Sequence, residues 1–231
     1  MNELLRSLLS TTAPQTILLL GASDTGKTTL IEQTLHGWTP PGPIALVDCD
    51  VGQSRLGPPT TVAWSVLEQP FEAWTKLPVQ EFVVTGAVSP EGNLDIFLSA
   101  VQRIVASARR YSPRVLIDTT GLISGELGVE LKQRKLALLR PDVVVALEGN
   151  DELAPFLLVY RQDGSQTLDP IDHWEGRKLG FFPVQFGEPI SGAEGIPRRA
   201  VGGLQKTVFP HHRVGAFGLQ MQQIVVECRQ R

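Results

Sequence analysis

Residues 16–30 read TILLLGASDTGKTTL, an apolar run that breaks into a glycine-flanked loop and then into helix-forming residues. Within it, residues 21–28 (GASDTGKT) fit the pattern G-x-x-x-x-G-K-[S/T] without a mismatch. A strand before this pattern and a helix after it distinguish a phosphate-binding loop from a chance glycine-rich turn. The glycines let successive backbone N–H groups point at one phosphate chain, and the helix N-terminus adds its positive dipole end. The stretch therefore predicts nucleoside triphosphate binding.

Two side chains of this loop have distinct expected roles. Lys27 is expected to reach the β- and γ-phosphates, and the Thr28 hydroxyl to ligate Mg²⁺. ATP is the expected nucleotide, with GTP left open. The other loop positions expected to contact the nucleotide are Gly21, Ala22, Ser23, Asp24, Thr25, Gly26 and Thr29.

Composition narrows the class of protein. At 231 residues, with 42% apolar and 19% charged residues, the chain is typical of a globular protein. A net charge of −3 excludes a strongly basic, non-specific nucleic-acid binder but leaves room for a local basic groove. No signal peptide and no run of 18 apolar residues occur, so we expect a cytoplasmic protein that does not contact a membrane.

Short, continuous apolar runs alternate with helical patterns, which is typical of a parallel sheet buried on both faces. The chain is therefore expected to be an α/β P-loop NTPase, with a mostly parallel sheet sandwiched by helices. Residues 1–160 would form the kinase core, and residues 161–231 a lid and C-terminal extension on the same domain. Predicted helices are 2–10, 27–36, 94–110 and 129–139; predicted strands are 17–20, 44–47, 81–85, 114–117, 143–147, 181–186 and 222–227; residues 54–76 are expected to be irregular.

Acidic side chains follow two of the predicted strands, at the sheet edge where α/β proteins place their chemistry. Asp48 and Asp50 are two residues apart, so on an extended strand end they share a face. One could hold Mg²⁺ through water while the other accepts the proton of an incoming hydroxyl, or either could cap the following turn. Asp118 is either a third acid near the metal or a partner of the Thr-Gly turn that follows it.

Four runs in order carry a resemblance: GASDTGKTT, VDCDVGQSRLGPPTT, GAVSPEGN and IDTTGLISGELGVELKQRKLALLRPDVVVAL. Together they resemble the polynucleotide 5′-hydroxyl kinase family over roughly residues 16–150. The Asp-x-Gly-Gln and Thr-x-Gly elements are much more specific to that family than the phosphate loop, which many families share.

The resemblance implies roles for particular residues. Asp50 would activate the 5′-hydroxyl, Asp24 would be the family's acid within the phosphate loop, and Gln53 would lie beside the acceptor. A clasp that grips the terminal nucleotide and its phosphate would consist of Thr119, Thr120 and Gly121. The family's lid arginine has no clean match; Arg177 is the first choice, with Arg161, Arg198 and Arg199 left open.

Positive charge follows the clasp. Lys132, Arg134 and Lys135 could contact a phosphate backbone, or they could be a solvated helix face. Family members often carry Trp after the Thr-x-Gly turn, where this chain has Leu122. Trp64 or Trp74 could replace that stacking platform, although a core role suits each of them better.

The sequence therefore predicts a kinase that transfers the γ-phosphate of ATP to the 5′-hydroxyl of RNA or DNA, with Mg²⁺ held from Thr28 and Asp48. Lys27 and a lid arginine would neutralise the moving charge, and Asp50 would orient and deprotonate the attacking hydroxyl. One rival is a switch-type NTPase that acts on a protein. Another is a kinase for a nucleoside or other small metabolite. No protein partner can be inferred.

Overall fold

A parallel sheet forms the centre of the molecule. The computed structural model describes residues 2–11, 13–149, 152–153, 156, 172–174 and 177–183. In chain order its strands are β1 (Gln15–Gly21), β2 (Ile44–Cys49), β3 (Thr61–Leu67), β4 (Val79–Val84), β5 (Arg114–Thr119), β6 (Val143–Glu148), β7 (Asp172–Trp174) and β8 (Arg177–Pro183). Its helices are α1 (Asn2–Leu9), α2 (Lys27–Leu35), α3 (Leu94–Tyr111) and α4 (Gly125–Leu139), with a 3₁₀ turn at Trp74–Lys76.

Within the described residues, the strand order of the sheet is β4-β3-β2-β5-β1-β6-β8-β7. The four central strands, β2, β5, β1 and β6, pair in parallel, so their carboxyl ends meet at one edge. Nearly every residue of these four strands is buried, as expected for strands covered on both faces. The α/β fold predicted from the sequence is confirmed at the centre of the sheet.

Both flanks of the sheet are antiparallel. β3 pairs with β2 and β4 with β3 on one side, and β8 pairs with β6 and β7 with β8 on the other. The expectation that residues 54–76 are irregular is wrong, because β3 is a fully buried strand within that range. Its polar residues are satisfied locally: the Thr61 and Ser65 hydroxyls donate to the carbonyls of Pro58 and Pro78. Buried hydroxyls with partners are compatible with a core strand.

Among the residues that the structure describes, two helices cover each face of the sheet. Alternate residues of β1 point to opposite sides, so Ile17 and Leu19 pack in the layer of α1 and α2, whereas Leu18 and Leu20 pack with α3 and α4. The predicted helices are all present, with α4 starting four residues earlier than expected. The strand predicted at 181–186 is β8, shifted toward the N-terminus.

Some predictions fall outside the described residues: the strand at 222–227 and most of the proposed lid and extension. Among the residues that the structure describes, no helix combines the length and hydropathy needed to cross a membrane.

Candidate active site

The phosphate loop connects β1 to α2 in a tightly wound backbone. A Cβ added at Gly21 would lie 2.6 Å from both the Leu147 carbonyl oxygen and Thr25 Oγ1, so only glycine fits there. Gly26 has φ 86°, the left-handed conformation that glycine adopts without strain, and Asp24 has φ 59°. The loop thus has the geometry that an anion-binding turn at a helix N-terminus needs.

Lys27 and Thr28 begin α2 and are held by different partners. Lys27 Nζ donates to the Ala22 carbonyl across the loop at 2.6 Å, and the side chain is buried. Thr28 Oγ1 donates to Asp118 Oδ2 at 2.6 Å, which links the phosphate loop to the end of β5. A hydroxyl and a carboxylate side by side are the hard oxygen ligands that Mg²⁺ prefers, so this pair fits a metal site.

Asp118 is a buried acid that faces the phosphate loop. Its Oδ1 accepts the Thr119 backbone N–H at 2.9 Å, while Oδ2 accepts the Thr28 hydroxyl. Burial raises the pKa of this carboxyl above its usual range, and the Thr28 hydrogen bond and the Lys27 charge partly oppose that rise. Asp118 therefore bonds the turn that follows it, as one of the two alternatives expected, and its role as an acid near a metal stays a prediction.

Asp48 lies directly beside Asp118, at the paired position on β2. Its carboxylate accepts three backbone N–H groups, from Asp50 at 2.8 Å, Arg55 at 2.6 Å and Leu56 at 3.0 Å. Burial raises the pKa of Asp48 to about 7 despite these bonds. A carboxylate has about four lone-pair sites, so three are committed to the loop after β2. Asp48 shapes that loop, and its predicted metal role stays a prediction.

Asp50 leads the loop that was expected to face the acceptor. Its Oδ1 accepts the backbone N–H groups of Gly52 and Gln53, each at 3.2 Å. In the described part of the chain, Oδ2 accepts no hydrogen bond, so only one of the two carboxylate oxygens is held by the loop. The Gln53 side chain is exposed. This loop also lies close to the next one, since a Cβ on Gly52 would be 3.0 Å from the Val88 carbonyl.

The Thr119–Thr120–Gly121 turn lies against the phosphate loop. Thr119 Oγ1 donates to the Leu19 carbonyl of β1 at 2.8 Å, and the Thr119 side chain is fully buried. Gly121 packs so closely on Ser23 that an added Cβ would overlap the Ser23 backbone. The structure thus brings the predicted clasp into contact with the predicted phosphate site, although the Thr119 side chain itself faces the protein interior.

Neither alternative left open for Lys132 and Lys135 on α4, a phosphate-backbone contact or a solvated helix face, is realised, because both side chains are buried. Lys132 and Lys135 are buried, at 1% and 0% exposure, and Lys132 Nζ bonds the clasp. Arg134 is exposed but pairs with Glu130 and Asp95. Direct contact of Lys132 with a phosphate backbone is therefore wrong for this arrangement, because its ammonium does not reach solvent.

Trp64 and Trp74 are both buried, so neither provides the exposed aromatic surface that Leu122 lacks. Arg177 is the first residue of β8, whose next residue pairs with Glu148 at the carboxyl end of β6. Its backbone therefore lies at the same sheet edge as the phosphate loop, and its role as the lid arginine stays a prediction. Arg161, Arg198 and Arg199 lie outside the described residues.

Three lysines and three aspartates lie close enough to influence one another's charge behind this edge. The Lys27 charge acts on Asp118 and Lys132, and the Lys135 charge acts on Lys132. The Asp50 charge acts on Asp118 and on both interior lysines, and the Asp48 charge acts on Lys135. Burial is the largest cause that lowers the pKa values of Lys132 and Lys135. Sequence reasoning missed the interior position of these lysines. The available signal was their helical spacing, because Lys132 and Lys135 fall in the same buried stripe of α4 as Leu131, Leu136 and Leu139.

The chain matches known proteins across this region. The family model described as mRNA cleavage and polyadenylation factor CLP1 P-loop matches residues 21–168. A polyribonucleotide 5′-hydroxyl-kinase of Pyrococcus furiosus is 34% identical over 153 residues, which are 66% of this chain and 43% of that protein. The corresponding protein of Pyrococcus abyssi is 34% identical over 172 residues, or 72% of this chain and 48% of that protein. The chain thus spans less than half the length of these relatives.

A solved structure has the same fold. The structure of a wild-type Clp1p–Pcf11p (454–563) complex superposes with a TM-score of 0.53 at 15% identity, covering 73% of this chain and 49% of that chain. The family model covers well over half of the chain and includes the phosphate loop, the loop after β2 and the Thr-Gly turn. The chain belongs to the CLP1 P-loop family.

Proposed function

We propose that this chain is an ATP-dependent polynucleotide 5′-hydroxyl kinase, which transfers the γ-phosphate to the 5′-OH end of RNA or DNA. The observation that carries the proposal is the packing of the Thr119–Thr120–Gly121 turn on Ser23, because it sets the predicted acceptor clasp directly against the phosphate loop. The curated relatives named above as polyribonucleotide 5′-hydroxyl-kinases support the same activity.

The donor side needs charge neutralisation and a metal. Lys27 lies buried in the loop, where it would contact the β- and γ-phosphates. Mg²⁺ would be held by Thr28 and Asp118, whose oxygens already meet at 2.6 Å, with Asp48 as a more distant partner through water. A metal held there would neutralise negative charge that develops on the transferred group. Arg177, at the start of β8, would supply further positive charge from the same sheet edge.

Asp50 is the proposed base on the acceptor side. Its Oδ1 is pinned by the Gly52 and Gln53 N–H groups, which fixes the orientation of the carboxylate. Its Oδ2 can accept the proton of the 5′-hydroxyl as that oxygen bonds to the γ-phosphorus, while the bond from the γ-phosphorus to the β–γ bridging oxygen breaks and ADP leaves. Gln53, Thr120 and Gly121 line the route by which the terminal nucleotide would approach, since they follow Asp50 and Asp118 at the ends of adjacent strands.

The test uses γ-labelled ATP, Mg²⁺ and oligonucleotides of identical sequence with a 5′-hydroxyl or a 5′-phosphate, as RNA and as DNA. We expect label on the 5′-hydroxyl oligonucleotides alone, lost in Lys27→Ala and reduced on the order of 10²–10⁴-fold in Asp50→Asn. Glu126→Gln, at an exposed position outside the loops named above, is the control for loss of a carboxylate. Release of free phosphate regardless of oligonucleotide indicates a switch-type NTPase, and labelling of mononucleosides in preference to oligonucleotides indicates a small-metabolite kinase.

A further inference from the structure

Lys132 is an interior cation whose hydrogen bonds all go to one short segment. Its ammonium donates to Thr119 Oγ1 at 3.0 Å, to the Thr120 carbonyl, and to Thr120 Oγ1 at 3.5 Å. The side chain is 1% exposed, so water does not take the place of these acceptors. A buried ammonium needs such partners for its three N–H groups, which makes this set of bonds mutually dependent.

The bonds continue from the turn to the strand that leads into the phosphate loop. Thr119 Oγ1 accepts a hydrogen bond from Lys132 Nζ and donates one to the Leu19 carbonyl of β1. Gly121, two residues later in the chain, lies so close to Ser23 that no side chain would fit between them. Contacts therefore connect α4 through the turn to Leu19 in β1 and to Ser23 in the phosphate loop, and a shift of the turn would disturb them.

We propose that Lys132 is a positioning residue that holds the Thr119–Thr120–Gly121 turn in place for the acceptor nucleotide. The ammonium acts from inside the protein through the two threonines, and it does not touch nucleic acid. This role rests on the proposed kinase function, because the turn is the acceptor clasp only in that function. The geometric part, the fixing of the turn by Lys132, is measurable without any activity.

Lys135 provides the comparison within the same helix. It is also fully buried, yet its Nζ has no hydrogen-bond partner among the described residues and lies 4.8 Å from the centre of the Phe97 ring. Removing either ammonium takes one buried positive charge from α4, but only removal of Lys132 releases the turn. Lys135→Met is therefore the matched control for Lys132→Met.

The kinetic experiment measures KM for a 5′-hydroxyl oligonucleotide and KM for ATP in both variants. We expect Lys132→Met to raise the oligonucleotide KM by about tenfold or more, the size expected for losing a charged hydrogen-bond donor. The KM for ATP should stay within about twofold, and Lys135→Met should leave the oligonucleotide KM unchanged. An unchanged oligonucleotide KM in Lys132→Met, or an equal rise of both KM values, would overturn the proposal.

Amide hydrogen exchange separates this proposal from the kinase activity. Exchange in a peptide spanning residues 119–121 should accelerate by about tenfold in Lys132→Met and stay at the wild-type rate in Lys135→Met. If the wild-type protein transfers no phosphate but the turn loosens, the kinase function fails and the positioning role stands. Wild-type exchange at the turn in Lys132→Met refutes the positioning role whatever the activity.

Thr119 provides a second route if Lys132→Met does not fold. Thr119→Val removes the hydroxyl that accepts from Lys132 while keeping the charge, and Thr119→Ser keeps the hydroxyl. The turn should loosen in the valine variant alone, and equal exchange in the two variants contradicts the proposal. Where all variants fold, Lys132→Met and Thr119→Val should be non-additive in the oligonucleotide KM, because they break the same contact; additive effects would mean that Lys132 acts elsewhere.

Discussion

The carboxyl ends of β2 and β5 differ in what they do with the same side chain. Asp48 and Asp118 occupy paired positions on adjacent parallel strands, and both are almost completely buried. Asp48 accepts hydrogen bonds from three backbone N–H groups of its own loop, whereas Asp118 accepts them from one backbone N–H and from the hydroxyl of Thr28. Burial and strand position are the same for both residues, so they do not show which aspartate supports its loop and which is a candidate metal ligand. The hydrogen-bond donors around each carboxylate make that distinction.

The largest expected effect is on catalysis at the β5 end. Asp118→Asn removes the negative charge beside Thr28, so phosphate transfer should fall by about 10²–10³-fold or more through loss of the metal site. Asp48→Asn keeps one of the two acceptor oxygens, enough for the Arg55 and Leu56 N–H groups, and should lower the rate of transfer by less than about tenfold. Rates are measured over a Mg²⁺ titration, with thermal melting to establish that each variant folds. The reverse order of the two losses would assign the metal to Asp48.

The next effect is on stability and belongs to the β2 end. Asp48→Ala leaves the N–H groups of Asp50, Arg55 and Leu56 without their acceptor. The Leu56 N–H is buried and the other two are partly buried, and a buried orphan costs about 1–3 kcal/mol. We expect the free energy of unfolding in urea to fall by at least about 3 kcal/mol. Asp118→Ala orphans a single backbone N–H, and the Thr28 hydroxyl can rotate to another acceptor, so its loss should be smaller. Equal losses would mean that the two acids are structurally equivalent.

Much of this arrangement could be predicted from the sequence because it depends on local patterns. The phosphate loop has a fixed spacing of glycines, Lys27 and Thr28, and the central strands are continuous apolar runs. The strand β3 was missed because Thr and Ser interrupt its apolar run. The Thr61 hydroxyl bonds the nearby Pro58 carbonyl, whereas the Ser65 hydroxyl bonds the Pro78 carbonyl, which folding brings near.

The different hydrogen-bond partners of Asp48 and Asp118 could not be predicted in the same way, because the Asp118 partner is distant in the sequence. Thr28 and Asp118 are 90 positions apart, so no local pattern reveals their hydrogen bond. The hydrogen-bond partners of Lys132 likewise could not be predicted from a local pattern. Charged residues in a helix are usually solvated, and the acceptors that allow this lysine to be buried come from the preceding turn.

The smallest effect is the pH dependence of stability, which distinguishes the two ends by titration. The folded pKa of Asp48, about 7, lies above its ordinary value of 3.8, so the folded protein binds more protons than the unfolded chain between these values. The free energy of unfolding therefore falls as pH rises from about 4 to 7, by up to about 1.4 kcal/mol per pH unit from this group. Asp118 acts in the same direction, because burial also raises its pKa. In urea unfolding without Mg²⁺, the free energy of unfolding should fall less steeply with pH for Asp48→Asn than for wild type. Glu126→Gln, at an exposed position, should show the wild-type dependence. Parallel curves for all three proteins would mean that the three N–H bonds keep Asp48 ionised over this pH range.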